Sequence, residues 1–181
     1  MDREKAIKAV ENLLEALGED VGREGLKDTP RRVADAFAEF ISGEGATAEE
    51  HLSKTFACVS GDMVIEKDIA FSSTCEHHLM PFFGKIAIAY IPDGRVVGLS
   101  KLARTVEVFS KRLQLQERLT CQIAQEIMRC LAPKGVMVVC EAEHTCMTCR
   151  GIKKAGSKTL SYSVAGDFPE DKKREALALI K

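Results

Sequence analysis

Neither sign of charge dominates this chain: 26 lysines and arginines stand against 27 aspartates and glutamates, for a formal net charge of -1. A protein without a basic field does not gather nucleic acid nonspecifically, so no nucleic-acid partner is expected. Long apolar runs are also missing, and nothing approaches the roughly 20 residues that cross a bilayer, so no membrane partner is expected. The first residues, Met1-Asp2-Arg3-Glu4-Lys5, are charged where a secretory leader needs an apolar stretch, and the expected location is cytoplasmic. There is no GxGxxG and no P-loop. A nucleotide, if the chain handles one, must have its phosphates held by side chains instead of by a glycine-rich nest. Internal repeats and low-complexity segments are absent as well.

What is present is 181 residues with 45% hydrophobic composition, enough for one compact domain with a real core. Seven cysteines is an odd number. Without an export signal, free or metal-bound thiols explain them better than a disulfide framework does.

The apolar spacing changes period along the chain. Ile7, Val10, Leu13, Leu14 and Leu17 recur as on one helical face, and Gly18 ends the run. Thr29 reads as the cap of a second helix and Pro30 as part of its first turn, with Val33, Phe37, Phe40 and Ile41 on its apolar side and an end near Ser42-Gly43. Residues 46–55 suggest a third, shorter helix. From Asp62 the pattern becomes that of strands: Met63, Ile65, Ile69 and Phe71 form one, and Ile86, Ile88 and Tyr90, alternating with alanines, form another antiparallel to it. Residues 72–83 read as a long polar connection between the two. Ser100 reads as the N-cap of a helix through Leu102, Val106 and Phe109. A longer helix follows over 116–131 with Leu119, Ile123, Ile127 and Leu131 inward, stopped by Pro133-Lys134-Gly135. Strands over 136–144 and 158–165 and a short helix from Pro169 complete the chain. Antiparallel strands with consecutive helices make this an α+β protein, with a helical region over 1–56 and a single strand-bearing unit over 57–181.

Three of the four histidines and three of the seven cysteines fall in two short segments, Cys75-Glu76-His77-His78 and His144-Thr145-Cys146-Met147-Thr148-Cys149. Cys75 and His78 stand at the C-x2-H spacing that turns a thiolate and an imidazole toward one ion, and Cys146 offers a third donor. If the second segment is a strand, His144 and Cys146 share a face and Cys149 points away. Three protein donors leave a tetrahedral zinc one position for solvent, which marks a catalytic site. The same residues with Cys149 added make a closed, structural four-donor site, and spacing alone leaves that alternative open. A zinc deaminase fits poorly. Its signature puts one residue between the first donor and the glutamate, whereas Glu76 adjoins Cys75, and no proline precedes Cys146.

Four motifs in order, Ser73 to His78, Gly98 to Arg104, Leu115 to Thr120 and His144 to Gly151, resemble the GTP cyclohydrolase I family. The resemblance runs from about Thr29 to the C-terminus. It implies the tunnelling fold: an antiparallel sheet with helices packed on one side, an N-terminal helical segment, and sheets closing into a barrel across subunits. It further implies a homodecamer with active sites at subunit interfaces. The implied reaction is zinc-dependent hydrolytic opening of the guanine ring of GTP, with release of formate and reclosure to 7,8-dihydroneopterin triphosphate, at the start of tetrahydrofolate and pterin biosynthesis. By the same resemblance Cys75, His78 and Cys146 are the Zn2+ ligands, and His77, His144 and Ser100 are catalytic. Glu117 reads guanine with Gln116 beside it, and Lys101, Arg104, Arg150 and Arg32 hold the triphosphate. Asp35 departs from the basic residue that some members carry at that position.

Overall fold

The computed structural model describes all residues, Met1–Lys181, as two compact units, Met1–Ser42 and Gly43–Lys181. The helical region expected over 1–56 is therefore divided between them, and residues 43–56 pack with the second unit.

The first unit is a pair of helices, α1 (Arg3–Ala16) and α2 (Thr29–Phe40). Asp2 caps α1 by accepting a hydrogen bond from the Lys5 amide at 3.1 Å. In α2 the cap position falls to Asp28 and not to Thr29, with Pro30 in the first turn where its missing N–H costs nothing. The aspartate at position 35 is explained inside this unit: its carboxylate accepts from Arg3 at 2.7 Å and lies 3.6 Å from Arg31, tying α2 to α1.

The second unit contains α3 (Glu49–Leu52), β1 (Thr55–Ala57), β2 (Val64–Cys75), β3 (Met80–Ile91), β4 (Arg95–Val97), α4 (Leu99–Ser110), β5 (Leu113–Gln114), α5 (Gln116–Leu131), β6 (Gly135–His144), α6 (Thr145–Thr148), β7 (Lys158–Gly166) and α7 (Glu170–Ile180). Its main sheet has the order β5-β2-β3-β6-β7, antiparallel except for the short β2–β5 pairing, and β1 and β4 form a separate two-stranded piece. None of its helices, nor any other in the chain, is long and apolar enough to cross a membrane.

Alternation along the strands decides what covers each face of the sheet. Ile86, Ile88 and Tyr90 of β3 and Val136, Val138 and Cys140 of β6 point toward α4 and α5. Leu119, Ile123, Ile127 and Leu131 of α5 are completely buried there, as their helical spacing predicts. Each contributes on the order of 1.5–3 kcal/mol of hydrophobic burial. The alternate residues Ala87, Ala89, Met137 and Val139 face the other way and meet Phe168 and Ala176, so the C-terminal helix covers part of the second face.

Two expectations are corrected. The polar stretch 72–83 is not a long connection: β2 and β3 continue through it, pairing Ser72 with Phe83, Ser73 with Phe82, Thr74 with Pro81 and Cys75 with Met80, and only residues 76–79 form the turn. Serine and threonine are small enough to sit buried in a strand when their hydroxyls find partners, which polarity alone does not reveal. Ser100 is not a cap: Gly98 takes that place, and Ser100 lies exposed in the first turn of α4.

One glycine is required by the sheet. A Cβ built on Gly84 falls 1.9 Å from the carbonyl oxygen of Glu141 on the neighbouring strand. Gly84→Ala is expected to cost about 1–3 kcal/mol by forcing β3 and β6 apart. Equilibrium denaturation measures this; an unchanged midpoint would show that the strands have room to spare.

Candidate metal centre

The turn between β2 and β3, the end of β6 and the start of α5 lie together. Phe82 of β3 is opposite His144 at the end of β6, and Cys75 of β2 is opposite Gln114, two residues before α5 begins. Chemistry-bearing residues from three distant stretches are thereby collected at the tip of one hairpin.

Within that tip the donor atoms of Cys75, His78 and Cys146 all lie within 4.8 Å of one another. Cys75 is buried at the last position of β2, and its Sγ is 3.8 Å from His78 Nδ1. The turn that brings them together is closed by the Leu79 amide donating to the Cys75 carbonyl at 2.9 Å, with Leu79 at φ +54. A leucine in the left-handed region is strained, and such strain is found where a turn has to aim side chains. Cys146 is not on a strand. β6 ends at His144, and the helical turn α6 carries the Cys146 thiol back toward Cys75. A same-face strand relation with His144 therefore does not explain its place. Thr145 anchors that turn by donating its hydroxyl to the Pro81 carbonyl at 2.6 Å.

The donor set fits zinc. Zn–S bonds of about 2.3 Å and Zn–N bonds of about 2.0 Å at tetrahedral angles set neighbouring donors roughly 3.5 Å apart, close to the sulfur-to-nitrogen distance between Cys75 and His78. Burial and the adjacent Cys75 sulfur push the Cys146 thiol up, as expected for two sulfurs facing each other with no cation between them. A divalent cation reverses that repulsion and favours thiolates. Cys149 does not join the group. It is exposed at the end of α6, and its thiol donates to the Thr145 carbonyl at 2.8 Å. Cys140 is a core thiol, pushed up to about 12 by burial and so inert.

Both histidines outside the donor set are nearby. His77 is exposed in the turn, its ring perpendicular to His78 with centroids 6.1 Å apart. His144 is half-buried and stacks on Phe82, with centroids 4.6 Å apart and planes within 5°. Burial holds its pKa below the usual imidazole value, and the Glu117 carboxylate pulls the other way. Its Nε2 lies 2.8 Å from Gln116 Oε1. The Gln116 amide nitrogen donates to the carbonyls of Cys140 (3.1 Å) and Thr159 (3.0 Å) and to Ser161 Oγ (3.0 Å). That fixes its oxygen as the acceptor, and His144 Nε2 must be the donor. Gln116, expected against a substrate, is thus buried and occupied in holding His144. Glu117, the next residue, is exposed.

The remaining expected residues are distributed unequally. Arg150 is exposed just beyond α6 and without an ion pair. Lys101 and Arg104 lie on α4, likewise unpaired, but the C-terminal end of α4 is the one near the metal donors, since Gln114 donates to the Phe109 carbonyl at 2.9 Å. At about 1.5 Å per residue, Ser100 and Lys101 stand some 12–14 Å back along the helix axis. Within one chain they are not gathered with Cys75 and Cys146. Arg32 belongs to the first unit, where it pairs with Asp28 at 3.3 Å. Phe82, the platform under His144, carried no signal in the sequence beyond being apolar.

The GTP cyclohydrolase I family model matches residues 6–181 of this chain. The chain belongs to the GTP cyclohydrolase I family. It is similar to a GTP cyclohydrolase 1 of Clostridium perfringens (strain 13 / Type A), 60% identical over 94% of this chain and 92% of that one. A GTP cyclohydrolase 1 of Clostridium kluyveri is 60% identical over 93% and 91%, and one of Streptococcus pneumoniae 56% identical over 95% and 94%. Among solved structures, an apo archaeosine synthase QueF-Like overlaps 61% of this chain and 99% of its own, with 18% identity and a TM-score of 0.46. As a GTP cyclohydrolase I family member, the chain presents a Cys-His-Cys donor group and an exposed carboxylate, Glu117, within electrostatic reach of the half-buried His144.

Proposed function

We propose that this chain opens the imidazole ring of the guanine of GTP by hydrolysis, releases C8 as formate, and recloses the product as 7,8-dihydroneopterin triphosphate. The observation that carries the proposal is the three-donor group at the hairpin tip, with Cys149 turned away from it and Glu117 and His144 beside it.

Cys75, His78 and Cys146 would hold Zn2+, which would supply Lewis acidity for hydrolysis near neutral pH. Glu117 reads the base: a carboxylate accepts two hydrogen bonds, and guanine offers N1–H and its exocyclic amine side by side. His77, exposed in the turn, donates a proton at N7 so that C8 is electrophilic as it is attacked. His144 moves a proton during formate release, its ring kept in one plane by Phe82 and Gln116. Lys101, Arg104, Arg150 and Arg32 hold the triphosphate, and Ser100 lies near the ribose and reacting ring. The position of Ser100 and Lys101 at the far end of α4 supports a site completed by another copy of the chain, in a homodecamer that joins sheets into a barrel. The free outer edge of β7, with Leu160 and Tyr162 more than 60% exposed, supports the same assembly. The enzyme acts in the cytoplasm, at the entry to tetrahydrofolate and pterin synthesis.

The test incubates the zinc-loaded protein with GTP and follows formate and pterin fluorescence. Single-turnover runs with His77→Ser and His144→Ala separate the steps: the first is expected to slow ring opening and the second formate release, each by about 10²–10⁴-fold. Wild-type progress of both steps in both variants overturns these two roles.

A further inference from the structure

Two charged residues of the family motifs, Glu76 and Arg118, take no part in the proposed chemistry. They meet each other. Arg118 Nη2 donates to the Glu76 carboxylate and to the Leu113 carbonyl (3.0 Å), while Arg118 Nε donates to Gln114 Oε1 at 3.1 Å. Gln114 is only 1% exposed, and its amide nitrogen is taken by the Phe109 carbonyl and Gln122 Oε1, both at 2.9 Å. Its oxygen therefore has to face Arg118. The Glu76 amide donates to the Gln114 carbonyl at 3.1 Å, so the turn is gripped by backbone and side chain together.

The position of this contact gives it meaning. Glu76 sits between the donors Cys75 and His78, and Arg118 follows Glu117 in the first turn of α5. We propose that Arg118 is a positioning residue: through Glu76 it fastens turn 76–79 to the start of α5, holding the metal donors at a set spacing from the base-reading carboxylate. The fork geometry suits this task, because a guanidinium bonds three acceptors in one plane where an ammonium offers a point charge. Second-layer partners of this kind typically change metal affinity by about 10–100-fold when removed.

The clamp rests on the assignment of Cys75, His78 and Cys146 as metal donors, and the experiment separates the two. Zinc dissociation constants are measured by competition with a chromogenic chelator for the full-length protein, Glu76→Gln, Arg118→Met, their combination, and Cys146→Ala. Glu76→Gln preserves side-chain shape and guards against a variant that merely fails to fold. Each single clamp variant is expected to bind zinc about 10–100-fold more weakly. The double variant is expected to be no weaker than either single, since one loss already frees the turn. Unfolding of the metal-free protein is followed in parallel, and kcat is expected to fall more than KM for GTP rises, because misplacement acts on the reacting geometry. Wild-type zinc affinity in Arg118→Met together with loss of zinc in Cys146→Ala overturns the clamp and leaves the metal centre standing. Wild-type zinc affinity in Cys146→Ala overturns the metal centre, and the clamp with it.

Discussion

Cys146→Ala is expected to lose zinc and, with it, GTP turnover. Structural zinc sites bind with roughly 10–16 kcal/mol, so removal of one donor in three costs on the order of 4 kcal/mol, or about 10³-fold in affinity. The site cannot recruit a substitute readily, because the Cys149 thiol is exposed at the end of α6 and bonded to the Thr145 carbonyl. Cys149→Ser is accordingly expected to keep full zinc content and wild-type formate production. Metal analysis after dialysis reads both variants. If the serine variant lost zinc as completely as the alanine variant, the ion would have four protein donors and no position for solvent, and hydrolysis would have to be abandoned as its purpose.

Glu117→Ala is expected to lower kcat/KM for GTP by about 10²–10⁴-fold while leaving zinc content unchanged. Two hydrogen bonds to a charged acceptor are each worth about 1.5–3 kcal/mol, and a base whose two adjacent donors lose their acceptor forfeits both. Inosine triphosphate provides the internal control, since it keeps the ring N–H and lacks the exocyclic amine. The unaltered protein should prefer GTP strongly, and Glu117→Ala should prefer neither. Retained preference in the variant would assign base recognition elsewhere. The two variants are read separately: the proposed role of Cys146 in zinc content, that of Glu117 in the preference between the two purines.

Much of the fold is legible in the residues alone. The amphipathic spacing of Leu119, Ile123, Ile127 and Leu131 announces α5, because only one helical face can be buried. The alternation of Ile86, Ile88 and Tyr90 with alanines announces β3, and it separates an α4/α5 face from an α7 face. The short elements β1, β4 and β5 are not legible, since two or three residues carry no period and owe their form to pairing partners. The buried hydroxyl-rich end of β2 is hidden for a related reason. Ser73 and Thr74 look like loop residues until neighbouring strands and α4 close over them.

The site divides along the same line. Spacing alone determined that Cys75 and His78 can serve one ion, because four residues suffice to close a single turn that aims both side chains at one point. Which distant cysteine joins them is a question of how β6 ends, and the helical turn at Thr145–Thr148, set by tertiary contact with Pro81, chose Cys146 over Cys149. Gln116 tells the same story in reverse: a helix sends adjacent residues about 100° apart, so its place beside Glu117 does not decide which way it faces, and packing against β6 and β7 turned it inward to His144 and left Glu117 exposed. Residue identity supplied the chemistry, and long-range packing, invisible to local pattern, decided which groups face one another.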